Sequence, residues 1–502
     1  MNFDVTLPNG LMGALGPDIV LMVGAMVLML YAAWKPEGTQ HQRNVGFASL
    51  AVIAATIGTV VWYASQGATG TAGIIAVDGF RWASDVIFLI GAAAAIALGI
   101  ESNPRERIVS GESHVLVLFA TAGMMILAAA RDLMIVFLGV EMMSIAVYVL
   151  AGLNRGSVRS AEGALKYFLL GAFSSGFLLY GIALIYGATG STNIAVIGER
   201  IATFQLAHHS MLLIGVGLLL VGFAFKVAAV PFHMWAPDVY EGAPTPITAY
   251  MAAAVKAAAF AMFFRVWLES FTLIDGAWLS PLWWLAAATM VVGNVVALAQ
   301  RNVKRLLAYS SIVHGGYLLV AVAAGTSLGS AAFLFYAVAY TLATFGAFAV
   351  VTAMSKTAEQ GPSINDFDGL WNTRPWLAIG FSVCLLALLG FPIFGGAGFF
   401  AKWYVLQAAI TSPNGLVPLS VLLVLTSVVS AGYYLHLVRV MFMRARPENA
   451  VEPAVMAPLT RLVLVTSVGL LLILGVFPNR LATWAQSNAA ITAPVAQGLP
   501  KK

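Results

Sequence analysis

The chain has 502 residues, of which 60% are hydrophobic and 9% charged, where an ordinary soluble domain carries roughly 25% charge. That excludes a soluble globule, and the single cysteine, Cys384, excludes an internal disulfide, a cysteine-rich zinc site and an iron-sulfur cluster. The net charge of +5 argues little for nucleic acid, because most Lys and Arg sit in short connections between apolar runs, as membrane topology requires.

Crossing a bilayer as a helix takes about 20 predominantly apolar residues. In chain order, such runs lie near 18–34, 45–65, 84–100, 113–130, 132–153, 160–187 and 208–240. Seven more follow near 245–269, 280–300, 304–325, 330–355, 375–411, 416–440 and 459–477. These are spans one to fourteen. The alternating ten-residue segments of an outer-membrane barrel are absent, and Gly and Ala lie inside the runs. The predicted fold is therefore an all-α membrane protein of about 14 transmembrane helices. No Gly-Lys pair, His-Glu pair or Gly-x-Gly-x-x-Gly string marks a P-loop, a zinc helix or a dinucleotide site.

Residues 1–34 hold no Lys or Arg, so the first run lacks the basic leader of a cleaved signal and reads as a retained span with the N-terminus outside. On that orientation the inner connections collect fifteen of the 26 basic residues, among them Lys35, Arg43, Arg105, Arg107, Arg155, Arg159, Arg301, Lys304, Arg305, Arg439, Arg444 and Arg446. The outer side collects seven, counting Arg265, Lys501 and Lys502. The remaining four, Lys166, Lys226, Lys256 and Lys402, fall inside spans.

Spans seven and twelve carry Pro231 and Pro392 within apolar segments too long for one crossing, which predicts broken helices. They stand five spans apart. Two successive five-helix units, spans four to eight and nine to thirteen, would then be inverted relative to each other, as in transporters. The corresponding division is 1–112 for spans one to three, 113–270 and 271–441 for the two repeats, and 442–502 for the last span and tail.

Glu141 lies about ten residues into span five, which at 1.5 Å per residue puts it about 15 Å deep, near the bilayer centre. Lys256 is equally deep in span eight, and Lys226 precedes the Pro231 break. Lys402 lies about 14 Å from the outer end of span twelve. Each such group costs on the order of 3 kcal/mol to insert, so Glu141 and the four lysines together impose about 10 to 15 kcal/mol. A hydrated relay that hands protons along would justify that cost, and it needs groups able to change charge, which arginine does not do. Burial favours the neutral form of a lysine and a nearby carboxylate favours the charged form, so a Glu141–Lys226 pair that opens and closes would switch proton release. The bland alternative is structural ion pairing, or snorkelling, which suits Lys166 nearly as well. His233, past the break, and His314, within span ten, are possible relays because imidazole titrates near neutrality, although a lone His in a helix also serves packing. His436 is a weaker candidate, and Asp238 and Glu241 read as capping or solvated loop charges.

The strings FKVAAVPFHMWAPDVYEGAPTPITAYMAAAVKAAAF, LGVEMMSIAVYVLAGLNR and ALKYFLLGAFSSGFLLYGIALIYGATGSTNI resemble the subunit N family of respiratory complex I, the proton-pumping NADH-quinone oxidoreductase, and the likeness runs through essentially all fourteen spans. Sister antiporter-like subunits share PFH followed by Trp-x-Pro-Asp, but the WAPDVYEGAPTP form is that of subunit N. The resemblance implies one of three antiporter-like subunits in the membrane arm of a hetero-oligomer. It places the key glutamate at Glu141, the broken-helix lysine at Lys226, the connecting lysine at Lys256, the exit lysine at Lys402 and an additional lysine at Lys166. It implies no cofactor or metal in this chain, with NADH, FMN, iron-sulfur clusters and quinone in other subunits. The expected setting is a bacterial inner membrane, with an organelle inner membrane as the alternative. A subunit of a cation/proton antiporter is the competing function, disfavoured because sodium wants oxygen ligands where the midplane offers mostly lysines. A purely structural scaffold would need replaceable charges.

Overall fold

The computed structural model describes residues 6–35, 37–67, 70–355, 361–393, 396–447 and 456–491. Twelve of its helices are long and apolar enough to cross a membrane unbroken, from Gly16–Trp34 to Pro458–Val476. Two further crossings are split, one into Ser210–Lys226 and Trp235–Gly242 and the other into Pro375–Leu389 and Gly396–Ile410. Together they make the fourteen expected spans, with the breaks in spans seven and twelve. A hairpin pairing Gly70–Ala72 with Ile75–Val77 is the only sheet among the described residues. We call the end of the bundle where Gly16–Trp34 begins the near end and the other the far end.

The inverted relation of the two five-helix units leaves a backbone signature. Asp132 bridges to Asn193, flanked by Leu133 N–H donating to Thr192 O at 2.9 Å and Ile194 N–H donating to Arg131 O at 3.0 Å. Asn302 bridges to Ser363 with the same spacing along the chain, flanked by Val303 N–H to Pro362 O and Ile364 N–H to Arg301 O, both at 2.9 Å. Asp132 caps the first turn of Leu133–Ala151, and Asn302 caps that of Val303–Ala324. An odd number of crossings separates the two bridges, so the first clasp sits at the near end and the second at the far end.

Spans eight (Thr245–Ser270) and ten (Val303–Ala324) are wholly enclosed, and span eleven (Ser327–Met354) nearly so, whereas spans one, two, thirteen and fourteen turn most of their surface outward. Lys256 and His314 therefore ride on the most enclosed helices. Close approach inside the bundle depends on small residues. Gly398 faces the Ala387 carbonyl so tightly that any Cβ there would collide with it, which lets the two halves of span twelve overlap.

Most span limits match the apolar runs within a few residues. Span two starts earlier, at Thr39, and the helix of span nine starts at Asp275, because polar residues that read as loop continue these helices outside the apolar zone. Thr6–Ala14, Ile194–Thr203 and Pro478–Ser487 are helices too short and polar to register as spans. Lys501 and Lys502 lie outside the described residues.

Candidate functional site

Span seven stops at Lys226, the last residue of its first half. The chain then unwinds through a left-handed Ala228 (φ 57°) and a cis Val230–Pro231 bond before Trp235 restarts the helix. The freed backbone groups are satisfied by neighbours: Trp235 Nε1 donates to Phe225 O at 3.1 Å, and Val230 N–H donates to Thr289 Oγ1 at 2.9 Å. The break leaves the Lys226 ammonium deep in the bundle, where it donates to Ser144 Oγ at 2.8 Å and reaches Tyr148 OH at 3.4 Å. Glu141 sits one turn before Ser144 on the same helix, but its carboxylate accepts from Ser175 Oγ of span six. Lys226 and Glu141 are thus separate here, each held by hydroxyls.

Lys256 follows directly on a π-helical turn, Met251–Val255, an irregularity frequent at functional sites. Its ammonium donates to the carbonyl and hydroxyl of Ser311 at 2.5 and 2.6 Å. A Cβ at Gly315 would stand 3.2 Å from Val227 O and 3.8 Å from Lys256 Nζ, so this glycine lets the broken end of span seven and the Lys256 head come together against span ten. One turn along from Ser311, His314 bonds Tyr336 OH through Nδ1 at 2.5 Å and Tyr434 OH through Nε2 at 3.2 Å. It shares a cavity of about 10 Å³ with Lys402, Tyr336 and Tyr340, close to the room one water needs. Lys402 donates to Leu389 O, a carbonyl at the end of the first half of span twelve, at 2.8 Å and to Ser427 Oγ at 3.3 Å, with its charge 4.7 Å from the Tyr317 ring centre.

The structure so gathers Glu141, Lys226, Lys256, His314 and Lys402 into one interior seam. Lys226, Lys256 and Lys402 are 6%, 3% and 8% exposed, and every hydrogen-bond partner they have among the described residues is a neutral oxygen. Each ammonium is held by dipoles alone, an arrangement from which a proton can leave without breaking an ion pair.

Other sequence candidates lie elsewhere. Lys166 is 43% exposed toward the far end and pairs with Glu162 at 2.6 Å and Asp238 at 2.9 Å. The next residue, Tyr167, stacks on Trp235 at 4.3 Å between centroids and meets Tyr148 edge-to-face at 4.7 Å. Asp238 and Glu241 are not capping or solvated loop charges. Arg305 ties both, at 2.8 and 3.0 Å, and Arg159 and Asn302 also hold Glu241, because spans six and ten bring cations to this end of span seven. His233 is half-buried in the unwound segment, and none of the seam lysines bonds to it among the described residues. His436 is half-buried on a far-end pocket.

Sequence reasoning missed a second charged cluster, at the near end. Arg265, expected on the outer surface, is fully buried and grips Asp78 through both terminal nitrogens at 2.8 and 2.9 Å, Glu269 at 3.2 Å and Ala128 O at 2.6 Å. Arg131 closes on Glu269 at 3.1 Å. Arg81, also fully buried, pairs with Asp18, lies 3.5 Å from Asp85 and donates to Ala14 O and Ala76 O at 2.9 Å. The i, i+4 spacing of Arg81 with Asp85 and of Arg265 with Glu269 was the available signal. Lys304, which read as a loop charge, is buried as well and donates to Ala243 O at 2.6 Å.

Two inverted halves, each interrupted in one helix beside a buried lysine, define an antiporter-like membrane subunit of the ion-translocating class. A family model described as the transmembrane region of NADH:quinone oxidoreductase and Mrp antiporter matches residues 130–432. The chain is 50% identical to NADH-quinone oxidoreductase subunit N of Gemmatimonas aurantiaca over 98% of its own length and 96% of that protein's. It is 42% identical to the subunit N of Trichlorobacter lovleyi over 94% and 95%. Among solved structures it resembles a chain of respiratory complex I from Thermus thermophilus with bound aureothin, at 36% identity and a TM-score of 0.80, covering 94% of this chain and 100% of that one. A chain of the Mrp complex from Dietzia sp., 21% identical with a TM-score of 0.79 over 94% and 97%, shares the fold. The chain belongs to the family of NADH-quinone oxidoreductase subunit N, antiporter-like proton-pumping subunits that assemble with other membrane-arm subunits of complex I.

Proposed function

We propose that protons cross this subunit along Glu141, Lys226, Lys256, His314 and Lys402, entering at the far end and leaving at the near end. The observation that carries this reading is the placement of three buried lysines on neutral oxygens along one seam. Lys226 holds a proton while Glu141 is swung toward it. When the carboxylate turns to Ser175, the ammonium keeps only hydroxyl partners and gives its proton to Lys256. Lys256 passes it by way of His314 to Lys402, which releases it outward, and a proton from the entry side then reloads Lys226, so every group returns to its starting charge. Lys166 and His233 belong to the entry side, where the ion network of Asp238 and Glu241 collects protons.

The two half-channels are residues 113–270 and 271–441, flanked by 1–112 and 442–502. The far end faces the interior of a bacterial cell across its inner membrane, and the N-terminus lies outside. Moving one charge against 100 mV costs about 2.3 kcal/mol. That work comes from quinone reduction in other subunits, which hold NADH, FMN, the iron-sulfur clusters and the quinone, and this chain carries no redox centre. The test is protons pumped per electron in membranes with the assembled complex. Lys226→Ala and Glu141→Gln should each lower the ratio, and native ratios in both would remove the pair from the mechanism.

A further inference from the structure

A pocket of about 530 Å³ opens at the far end between spans nine, ten and thirteen. Arg301, Ser363, Asn365, Tyr433 and His436 line it. Tyr433 lies level with Asn294, four residues before the far end of span nine at Leu298, so this part of the pocket is about 6 Å inside that end. None of Glu141, Lys226, Lys256, His314 and Lys402 lines this pocket.

Polar contacts continue inward from Tyr433. Tyr433 OH donates to Asn294 Oδ1 at 3.2 Å. The Tyr317 hydroxyl lies near Asn294, Ser427, Thr426 and Ser430 and makes no direct hydrogen bond among the described residues. Ser427 Oγ accepts from Lys402 Nζ at 3.3 Å. The neighbouring Tyr434, its ring 4.5 Å from that of Tyr433, contacts Ser310 and lies 3.2 Å from His314 Nε2. Adjacent phenols on one helix thus link the pocket to Lys402 through one and to His314 through the other. A packing role alone would ask for phenylalanine, since a buried hydroxyl is costly unless it is bonded.

We propose that this pocket is a second proton inlet, feeding Lys402 from the far end without passage through Lys226, with Tyr433 as its first relay group. A proton arriving as hydronium binds the Tyr433 oxygen as that hydroxyl releases its own proton toward Asn294 and Tyr317. The Tyr317 hydroxyl takes up one proton and releases another to Ser427, and Ser427 delivers one to neutral Lys402, so one proton enters, one is bound and no phenol gains charge. The inference rests on Lys402 being a relay group.

The assembled complex in sealed vesicles tests it, read as protons pumped per electron. In an Ala299→Cys variant, at the pocket lining, a bulky membrane-impermeant maleimide is applied to one face, the native Cys384 being buried. Labelling from the far-end face should lower the ratio in the same membranes to a value between native and Lys402→Ala, labelling from the opposite face should leave it unchanged, and Tyr433→Phe should match the labelled value. An unchanged ratio after confirmed labelling, or native pumping by Tyr433→Phe, overturns the inlet. Native pumping by Lys402→Ala would instead defeat the relay on which it rests.

Discussion

The near-end cluster and the interior seam both bury charge, and they do so in opposite ways. At the near end three arginines face four carboxylates, with the forked Arg265–Asp78 contact at the centre. Along the seam, lysines stand on serine hydroxyls, carbonyl oxygens and a tyrosine, with the carboxylate of Glu141 turned elsewhere. Arginine keeps its proton under all ordinary conditions and its planar fork fits a carboxylate, so the cluster is a fixed clasp joining spans one, three and eight. Lysine can lose its proton, and the absence of a bonded counterion leaves each seam site able to exist in two charge states. The difference teaches that burial alone does not mark a translocating group. The kind of cation and the kind of partner separate a fixed ion pair from a group able to change charge.

Breaking the clasp should have the largest effect on stability. Arg265→Ala takes the forked guanidinium from buried Asp78 and leaves Glu269 with Arg131 alone, a loss of about 3 to 5 kcal/mol. The subunit should be depleted from membranes by immunoblot, and a normal level of intact complex would contradict the contrast. Along the seam the contrast predicts the reverse. Lys256→Arg keeps a charge that cannot be released, so the complex should assemble at near-native levels while its protons-per-electron ratio falls as far as in Lys256→Ala. Native pumping by the arginine variant would show that Lys256 acts as a fixed charge. Tyr148→Phe removes only the 3.4 Å contact to Lys226 and should cost about 0.5 to 1.5 kcal/mol or less, visible as a small drop in thermal midpoint with partial loss of pumping. The smallest effect belongs to Lys166→Ala, a solvent-accessible pair whose loss should leave assembly and the thermal midpoint unchanged, and a collapse of assembly there would sharpen the far-end network into a second clasp.

Much of this was legible in the chain. Fourteen apolar runs give fourteen crossings because a bilayer imposes its thickness on every one of them. Pro231 and Pro392 announced the interruptions, since neither fits an unbroken helix interior. Lys256 and Lys402 stood out through depth, and Lys226 through its place before the Pro231 break. The clasp did not, because Arg81 finds Asp18 and Arg265 finds Asp78 only after distant spans pack together, and residues near span ends look like ordinary loop charges. Lys304 was hidden for the same reason. The π-helical turn before Lys256 has no compositional mark in MAAAV. The separation of Glu141 from Lys226 depends on Ser175, contributed by the next helix, which spacing along the chain does not disclose.

The carbonyl of Leu389 is open to Lys402 only because the helix halts at Gly390, whose backbone turns left-handed there. Were the following residues to wind on, that oxygen would be claimed by the amide of Ile393 and the ammonium would lose its closest ligand. The pause in span twelve therefore works as a detent: a local change of coil into helix, a few residues long, would be enough to unseat the Lys402 ammonium.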